Sequence, residues 1–213
     1  MPRSKIILLL FLLILSFAWS SSLGLWKRNR AILLGNRSNQ YELINHSIKK
    51  MTEKAKDAKR FVSKNNYDES ACFLVDMSLP SGQNRFFVYD LNKDTIQNSG
   101  LVTHGRCNEY WLQGRKYGNA VGCGCTSLGK YKVGYSYNGK FGLAFKLYGL
   151  DKTNDKAFAR FVVLHSHDCV PDMEVTNDIC QSDGCPTVAP GFLQQLKTII
   201  NESKKPVLLW IYN

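Results

Sequence analysis

The chain has 213 residues, 44% of them hydrophobic, and a formal net charge of +11. That length fits one domain with a real core plus an N-terminal appendage, and that apolar content excludes wholesale disorder. So large a positive excess favours polyanionic surroundings.

The N-terminus reads as an export signal. Arg3 and Lys5 precede an unbroken apolar run from Ile6 to Leu15, and Ala18-Trp19-Ser20 sets small residues at the two positions a signal peptidase reads. Cleavage is expected after Ser20, which removes Arg3 and Lys5 and takes the formal charge from +11 to +9. An uncleaved anchor is the second reading, and only in that case is a membrane a partner. Either way the main domain is expected outside the cytoplasm, in the periplasm or cell wall. Anionic wall polymers then suit the positive charge better than nucleic acid does.

Residues 21–40 are basic, polar and unpatterned, which suits a linker. Over 41–63 the residues Leu43, Ile44, Ile48, Met51 and Ala55 recur at helical spacing among lysines and glutamates. The texture then changes to strands: Ala71–Met77, Arg85–Leu91 and Thr95–His104, with turns at Pro80-Ser81-Gly82 and Asn92-Lys93-Asp94. Residues 105–127 have no period and hold three cysteines and five glycines, so this loop is expected to be functional or stapled. Lys130–Tyr137 and Lys140–Tyr148 flank Asn138-Gly139, a hairpin signal. Phe161–Leu164 reads as a buried strand ending at His165, Pro190–Ile200 as a short helix with proline in its first turn, and Val207–Tyr212 as a closing strand. Many short strands and few helices predict a mainly β sandwich or barrel. The expected division is 1–20 signal peptide, 21–65 basic linker and helix, and 66–213 main domain.

Seven cysteines are an odd number: Cys72, Cys107, Cys123, Cys125, Cys169, Cys180 and Cys185. Outside the cytoplasm six can pair and one stays free. One segment sets a histidine and a cysteine where they could act together. His165-Ser166-His167-Asp168 ends a strand, a polar loop follows, and Ser182-Asp183-Gly184-Cys185-Pro186 comes next. A base fixed at the end of a rigid strand, with a nucleophile in the following loop, is a sound way to hold a reactive pair. A neighbouring imidazole can lower a thiol's pKa, and the N–H groups of Gly184 and Cys185 can line an oxyanion hole. His165-x-His167-Asp168-Cys169 with Cys123-x-Cys125 also offers metal-ligand types, but in no closed zinc spacing, so no metal is expected.

This stretch resembles the catalytic motif of the YkuD-type L,D-transpeptidases, a histidine followed after a loop by Ser-x-Gly-Cys. More of the chain resembles the murein L,D-transpeptidase catalytic-domain branch, in order and without large gaps over about residues 66–212. Phe73–Leu91 is similar to its opening strands, and Leu101-Val-Thr-His-Gly105 to its "VxHG" element. Thr126-Ser-Leu-Gly-Lys-Tyr131 is similar to "SSLGxY". Gly149 and Leu150 with Asn154, Ala157 and Arg160 are similar to "GLxxxNxxAxxR", and Gly184-Cys-Pro-Thr-Val188 to "GCPAV".

The resemblance implies a YkuD-like β-sandwich or barrel preceded by a helix, with Cys185 as nucleophile and His165 as base. It implies that Ser166 orients the imidazole through its carbonyl, that Gly184 and Cys185 face an oxyanion, and that His104 and Ser182 act as substrate or supporting contacts. The implied substrate is a peptidoglycan stem peptide, with no cofactor. Cys185 is then the cysteine that stays free, and the other six staple the loops. Asp183 departs from the histidine or tryptophan usual before Gly-Cys. A carboxylate there raises a neighbouring thiol's pKa unless a cation, Arg160 or a protonated His165, offsets it. Rival readings are an L,D-carboxypeptidase, which hands the acyl group to water, and a non-catalytic, disulfide-stapled wall-binding module.

Overall fold

A computed structural model describes residues 47–213. The expected signal segment and linker lie outside the described residues. Among those described, no helix is long and apolar enough to cross a membrane.

A helix, α1, runs through residues 47–64. Ala55, Ala58 and Val62 fall on one face at helical spacing and are buried, while Lys56, Lys59 and Lys64 stay exposed. The lysine-rich stretch is therefore the solvated side of an amphipathic helix. Ala55, Ala58 and Val62 pack on Cys72, Leu74, Tyr89, Leu91 and Leu208, which lie on the outer face of the sheet.

The eight strands are β1 (Ala71–Asp76), β2 (Phe86–Asp90), β3 (Thr95–Gly100), β4 (Gly129–Gly139), β5 (Gly142–Gly149), β6 (Val163–Ser166), β7 (Thr187–Val188) and β8 (Leu208–Tyr212), with the helix α2 (Pro190–Glu202) between the last two. They form one sheet in the order β3-β2-β1-β8-β4-β5-β6-β7. The β1–β8 and β6–β7 pairs are parallel and the rest antiparallel. The mainly β expectation holds. The last strand inserts at the centre of the sheet between β1 and β4, which is why Leu208, Leu209 and Ile211 are all buried. β1 is buried at every position: Cys72 and Leu74 face α1, and Phe73 and Val75 face the main core.

Two strand expectations are corrected. The run Thr95–His104 is not one strand. It leaves β2 at Gly100, where an added Cβ would lie 2.6 Å from the Phe192 ring of α2. The following residues cross to the far end of the sheet. Val102 bridges Val188 of β7, the Thr103 N–H donates to the Thr187 carbonyl (2.9 Å), and the Ser182 N–H donates to the His104 carbonyl (2.9 Å). The two end strands are thereby joined through residues 102–105, and the sheet closes into a barrel around Phe73, Phe86, Tyr131, Phe145 and Leu164. The hairpin turn also moves. Asn138 pairs with Leu143 and Gly139 with Gly142, so Lys140-Phe141 is the loop, and Gly142 rather than Asn138-Gly139 takes the left-handed backbone (φ 78°).

Disulfides join Cys107 to Cys125 and Cys169 to Cys180, leaving Cys72, Cys123 and Cys185 free. The expectation that six cysteines pair is overturned. Cys72 points into the apolar layer under α1, where no second cysteine lies, and burial pushes its thiol up to about 12. Cys123 stands beside a cysteine already bridged to Cys107. The two bridges do fall where loops surround the His165–Cys185 segment: one within the 105–127 loop and one between base and nucleophile.

Candidate active site

His165 is the third residue of β6 and pairs in parallel register with Thr187 of β7; Cys185 lies two residues before Thr187. The closed sheet thus sets the imidazole and the thiol side by side. Both line one cavity of about 520 Å³, whose wall includes Arg106, Trp111, Phe141 and Thr187. That volume lies in the usual range for small-molecule sites.

His165 Nδ1 is 3.0 Å from the Ser166 carbonyl. A carbonyl only accepts, so Nδ1 carries the proton and Nε2 presents its lone pair. The Ser166 carbonyl therefore fixes the ring's orientation through the backbone. Thr187 Oγ1 stands 3.1 Å from Nε2 and donates to it. The Phe141 ring, on the tip of the β4–β5 loop, stacks on His165 with centroids 5.1 Å apart and packs edge-on to His167. Burial lowers the His165 pKa, the Ser166 carbonyl acts the other way, and His167 adds a smaller lowering effect. The imidazole is thus neutral at neutral pH and fit to act as a base.

Cys185 Sγ lies 3.5 Å from the Val163 N–H, which donates to it, and 3.8 Å from the Phe161 carbonyl. It makes no hydrogen bond to His165 among the described residues. Burial raises the Cys185 pKa, the Val163 N–H and Arg160 oppose this, and Asp183 adds to it. The expected lowering by the imidazole is not present. The resting pair is a neutral thiol beside a neutral imidazole, which calls for general-base activation at the moment of attack rather than a stored thiolate.

The backbone at the nucleophile is tightly held. Its carbonyl accepts from Ser182 Oγ (2.7 Å) and Thr103 Oγ1 (3.2 Å); the Thr187 hydroxyl, 3.4 Å away, donates to it only when turned from His165 Nε2. The Gly184 N–H donates to Ser182 Oγ (3.2 Å), so of the two expected oxyanion donors Gly184 already has a partner. Gly184 has φ 107°, and a Cβ there would lie 2.6 Å from the Cys125 carbonyl oxygen and 3.1 Å from Arg160 Nη2. Only glycine fits that approach. Arg160 lies beneath this turn, donating to the carbonyls of Gly118 (3.0 Å) and Cys125 and to Ser127 Oγ. It props the nucleophile loop against residues 118–127 rather than lining the cavity.

His104 is not in the cavity with Cys185. Its ring points to the other side of the 102–105 segment, into a second cavity of about 320 Å³ with Arg115, Tyr117 and Asp178. Its Nδ1 is 3.2 Å from Arg85 Nη2, and burial, Arg85 and Arg115 lower its pKa to about 4. Its neighbour Thr103 is the residue that reaches the nucleophile. Asp183 is exposed at the cavity rim and is paired with Arg106, Nε to Oδ1 at 2.7 Å, not with Arg160 or His165. Arg106, Thr103 and Thr187 were not singled out in the sequence. Arg106 directly follows the "VxHG" element and Thr187 lies within "GCPAV", so proximity to motifs was the available signal. Of the three sulfurs in the mixed metal-ligand set, Cys125 and Cys169 are half-cystines and Cys123 is free.

The family model described as the L,D-transpeptidase catalytic domain matches residues 40–212. The chain belongs to that family. The match takes in all of α1 as well as the barrel. No curated protein matches in sequence. Among solved structures the chain is similar to an L,D-transpeptidase fragment from Xylanimonas cellulosilytica (13% identity, TM-score 0.38, 67% of this chain and 60% of that one). It is also similar to an L,D-transpeptidase from Mycobacterium smegmatis (9%, 0.40, 68% and 59%) and to the helical cell shape determining protein Pgp2 from Campylobacter jejuni (14%, 0.45, 68% and 48%). The chain spans about 60% or less of each of these proteins.

The charges at this L,D-transpeptidase-family site give a testable pH dependence. Alkylation of Cys185 by iodoacetamide, followed by peptide mapping across pH, is expected to have a midpoint above that of an ordinary cysteine. Asp183→Asn moves that midpoint down, because it removes a negative charge that disfavours the thiolate. A midpoint at or below the ordinary value, or an upward move in the variant, contradicts this electrostatic account.

Proposed function

We propose that the chain is an exported cysteine L,D-transpeptidase that cross-links peptidoglycan stem peptides. The observation that carries this reading is that His165 on β6 and Cys185, two residues before the β7 partner Thr187, line one cavity within a domain of the matching family. The basic charge and the two disulfides support a site of action outside the cytoplasm.

The cycle runs as acyl transfer. Cys185 turns about Cα–Cβ, its S–H proton passes to His165 Nε2, and Sγ attacks the carbonyl joining the stem's diamino acid to the terminal D-alanine. The Cys185 N–H, with Gly184 as its neighbour, faces the tetrahedral oxyanion. The carbon–nitrogen bond then breaks and D-alanine leaves as its amine, taking the proton from the imidazolium. This leaves a thioester on Cys185. An amine of a neighbouring stem attacks that thioester, gives its proton to His165, and returns the thiol as the new amide forms. The Ser166 carbonyl holds Nδ1–H throughout, so the same nitrogen works as base and then as acid.

Incubation with purified wall fragments is expected to yield D-alanine and dimers whose mass equals two stems joined with loss of one D-alanine. Trimmed monomers without dimers identify the L,D-carboxypeptidase instead. Wall binding with no D-alanine identifies the non-catalytic module.

A further inference from the structure

We infer that the turn at residues 158–161, with the outer face of the β4–β5 hairpin behind it, docks on an anionic lipid surface. The docking face is separate from the transpeptidase chemistry and does not depend on it.

The backbone points first to Phe161. The connection before β6 closes as a helix-ending turn. The Arg160 N–H donates to the Lys156 carbonyl (2.9 Å), the Phe161 N–H to the Phe158 carbonyl (3.0 Å), and the Val162 N–H reaches back to the Ala157 carbonyl (3.0 Å). That pattern puts Phe161 at the left-handed position (φ 56°), where glycine is the usual choice because a Cβ is strained there. Glycine would set the same carbonyl against Cys185 Sγ without strain, so the ring is what phenylalanine adds. The ring does not serve the core: Phe161 is 75% exposed, and Phe158 in the same turn is 52% exposed.

Behind the turn lies a row of rings and cations. Tyr148 stacks on Phe158 with centroids 5.3 Å apart. Its ring lies across Gly134, where an added Cβ would come within 2.5 Å of it. Lys132 Nζ stands over Tyr148 (4.5 Å), and Lys146 Nζ over Tyr137 (4.4 Å) and Phe158 (5.8 Å). Among the described residues neither lysine has a carboxylate partner. The two nearby acids are engaged elsewhere: Asp151 pairs with Lys130 (2.8 Å), and Asp155 accepts from Asn119 (2.7 Å). The face therefore offers protruding apolar rings backed by uncompensated positive charge.

That chemistry selects the partner. A phenylalanine ring has no hydrogen-bonding group and gains by leaving water. An ammonium beside it gains from anions while staying hydrated. Anionic lipid offers both at once, an apolar layer beneath a negatively charged one. A soluble anionic polymer meets the lysines but gives the protruding Phe161 ring nothing apolar to enter.

The test uses the full chain. Its apolar N-terminal run can itself bring it to a vesicle, so the readout is which side chain meets lipid. Photoreactive p-benzoylphenylalanine replaces Phe161, Phe158 or, as a reference, Met173. Met173 is also exposed but belongs to a loop held on the Gly82 carbonyl through the Val175 N–H. Each protein is illuminated with vesicles of phosphatidylcholine and phosphatidylglycerol in equal parts, and lipid adducts are mapped by mass. Adducts are expected at 161 and 158 and not at 173. The yield is expected to fall at least about tenfold with Lys132→Gln and Lys146→Gln together, or with phosphatidylcholine alone. No lipid adduct at 161, equal yields at 161 and 173, or a yield indifferent to the lysines overturns the inference. An adduct at 161 to dextran sulfate and none to lipid, when both are present, identifies a polymer site and also overturns it. Phe161→Gly is expected to raise the melting temperature by about 2–4 °C, because glycine suits that backbone. A fall would show that the ring packs the fold, and would overturn the inference as well.

Discussion

Replacing Cys185 with alanine is expected to abolish D-alanine release from stem tetrapeptides, a fall on the order of 10⁴-fold or more, while the melting temperature changes little. The size follows from the chemistry. Once the sulfur is gone no acyl-enzyme forms, and His165 by itself only deprotonates water. The small effect on stability follows from packing. Cys185 is only partly buried, its carbonyl rather than its side chain carries the strong bonds to Ser182 and Thr103, and it forms no disulfide. Release that continues in the variant would remove Cys185 from the mechanism. A collapse of the melting temperature would mean that the thiol is a packing element, and loss of activity would then say nothing about catalysis.

Arg85→Met is expected to be the most damaging substitution away from the chemistry, by about 3 kcal/mol, or roughly 6–12 °C in melting temperature for a unit of this size. Arg85 is fully buried. It donates to the Val102 carbonyl through Nε (2.9 Å) and Nη2 (2.6 Å), to the Leu79 carbonyl through Nη1 (3.2 Å), and to His104 Nδ1 (3.2 Å). Burial, with Arg115 adding to it, lowers its pKa to about 10, still high enough to keep the charge at neutral pH. Burying that charge opposes folding, and methionine removes the penalty. The same change strands the Val102 carbonyl and a ring nitrogen of His104, leaves the Leu79 carbonyl only its bond from Arg115 Nη2 (2.6 Å), and takes a cation away from the buried Asp76. The stranded groups outweigh the relief. Val102 is also the residue that joins the two ends of the sheet, so the loss spreads to Thr103 and the nucleophile loop. Thermal unfolding by circular dichroism checks it; an unchanged or higher midpoint would show that burial of the charge dominates.

Which features were legible in the sequence follows from how local their causes are. β1, β2, α2 and β8 were placed to within a residue or two because each is a compact apolar run bounded by turn residues or proline. His165 and Cys185 were legible as candidates because a residue near the end of one strand and a residue just before its neighbour strand lie in an ordered motif in the chain. Long-range partners were not. Thr95–His104 alternates well enough for one strand, and only the Phe192 ring against Gly100 and the pull of β7 explain its break. The β4–β5 turn sits two residues later than Asn138-Gly139 because Gly142 also accepts positive φ, and register with β5 decides between them. Arg85 reads as the polar edge of a strand, since nothing near it in sequence announces the carbonyls of Val102 and Leu79. Arg160 does oppose the rise in the Cys185 pKa, as sought, but the ion-pair partner of Asp183 is Arg106, 77 residues away, and only the Gly105–Ser182 bridge brings the two together.

The central claim is that one sulfur, Cys185, is free and acylable while the other thiols are idle. Treatment of the unsubstituted protein with a carbapenem, followed by intact mass and peptide mapping without reduction, tests it most directly. One adduct per chain is expected, on the peptide carrying Cys185, with Cys107–Cys125 and Cys169–Cys180 recovered as bridged pairs and Cys72 and Cys123 unmodified. An adduct on another cysteine, no adduct at all, or Cys185 recovered in a disulfide of the active protein would contradict the account.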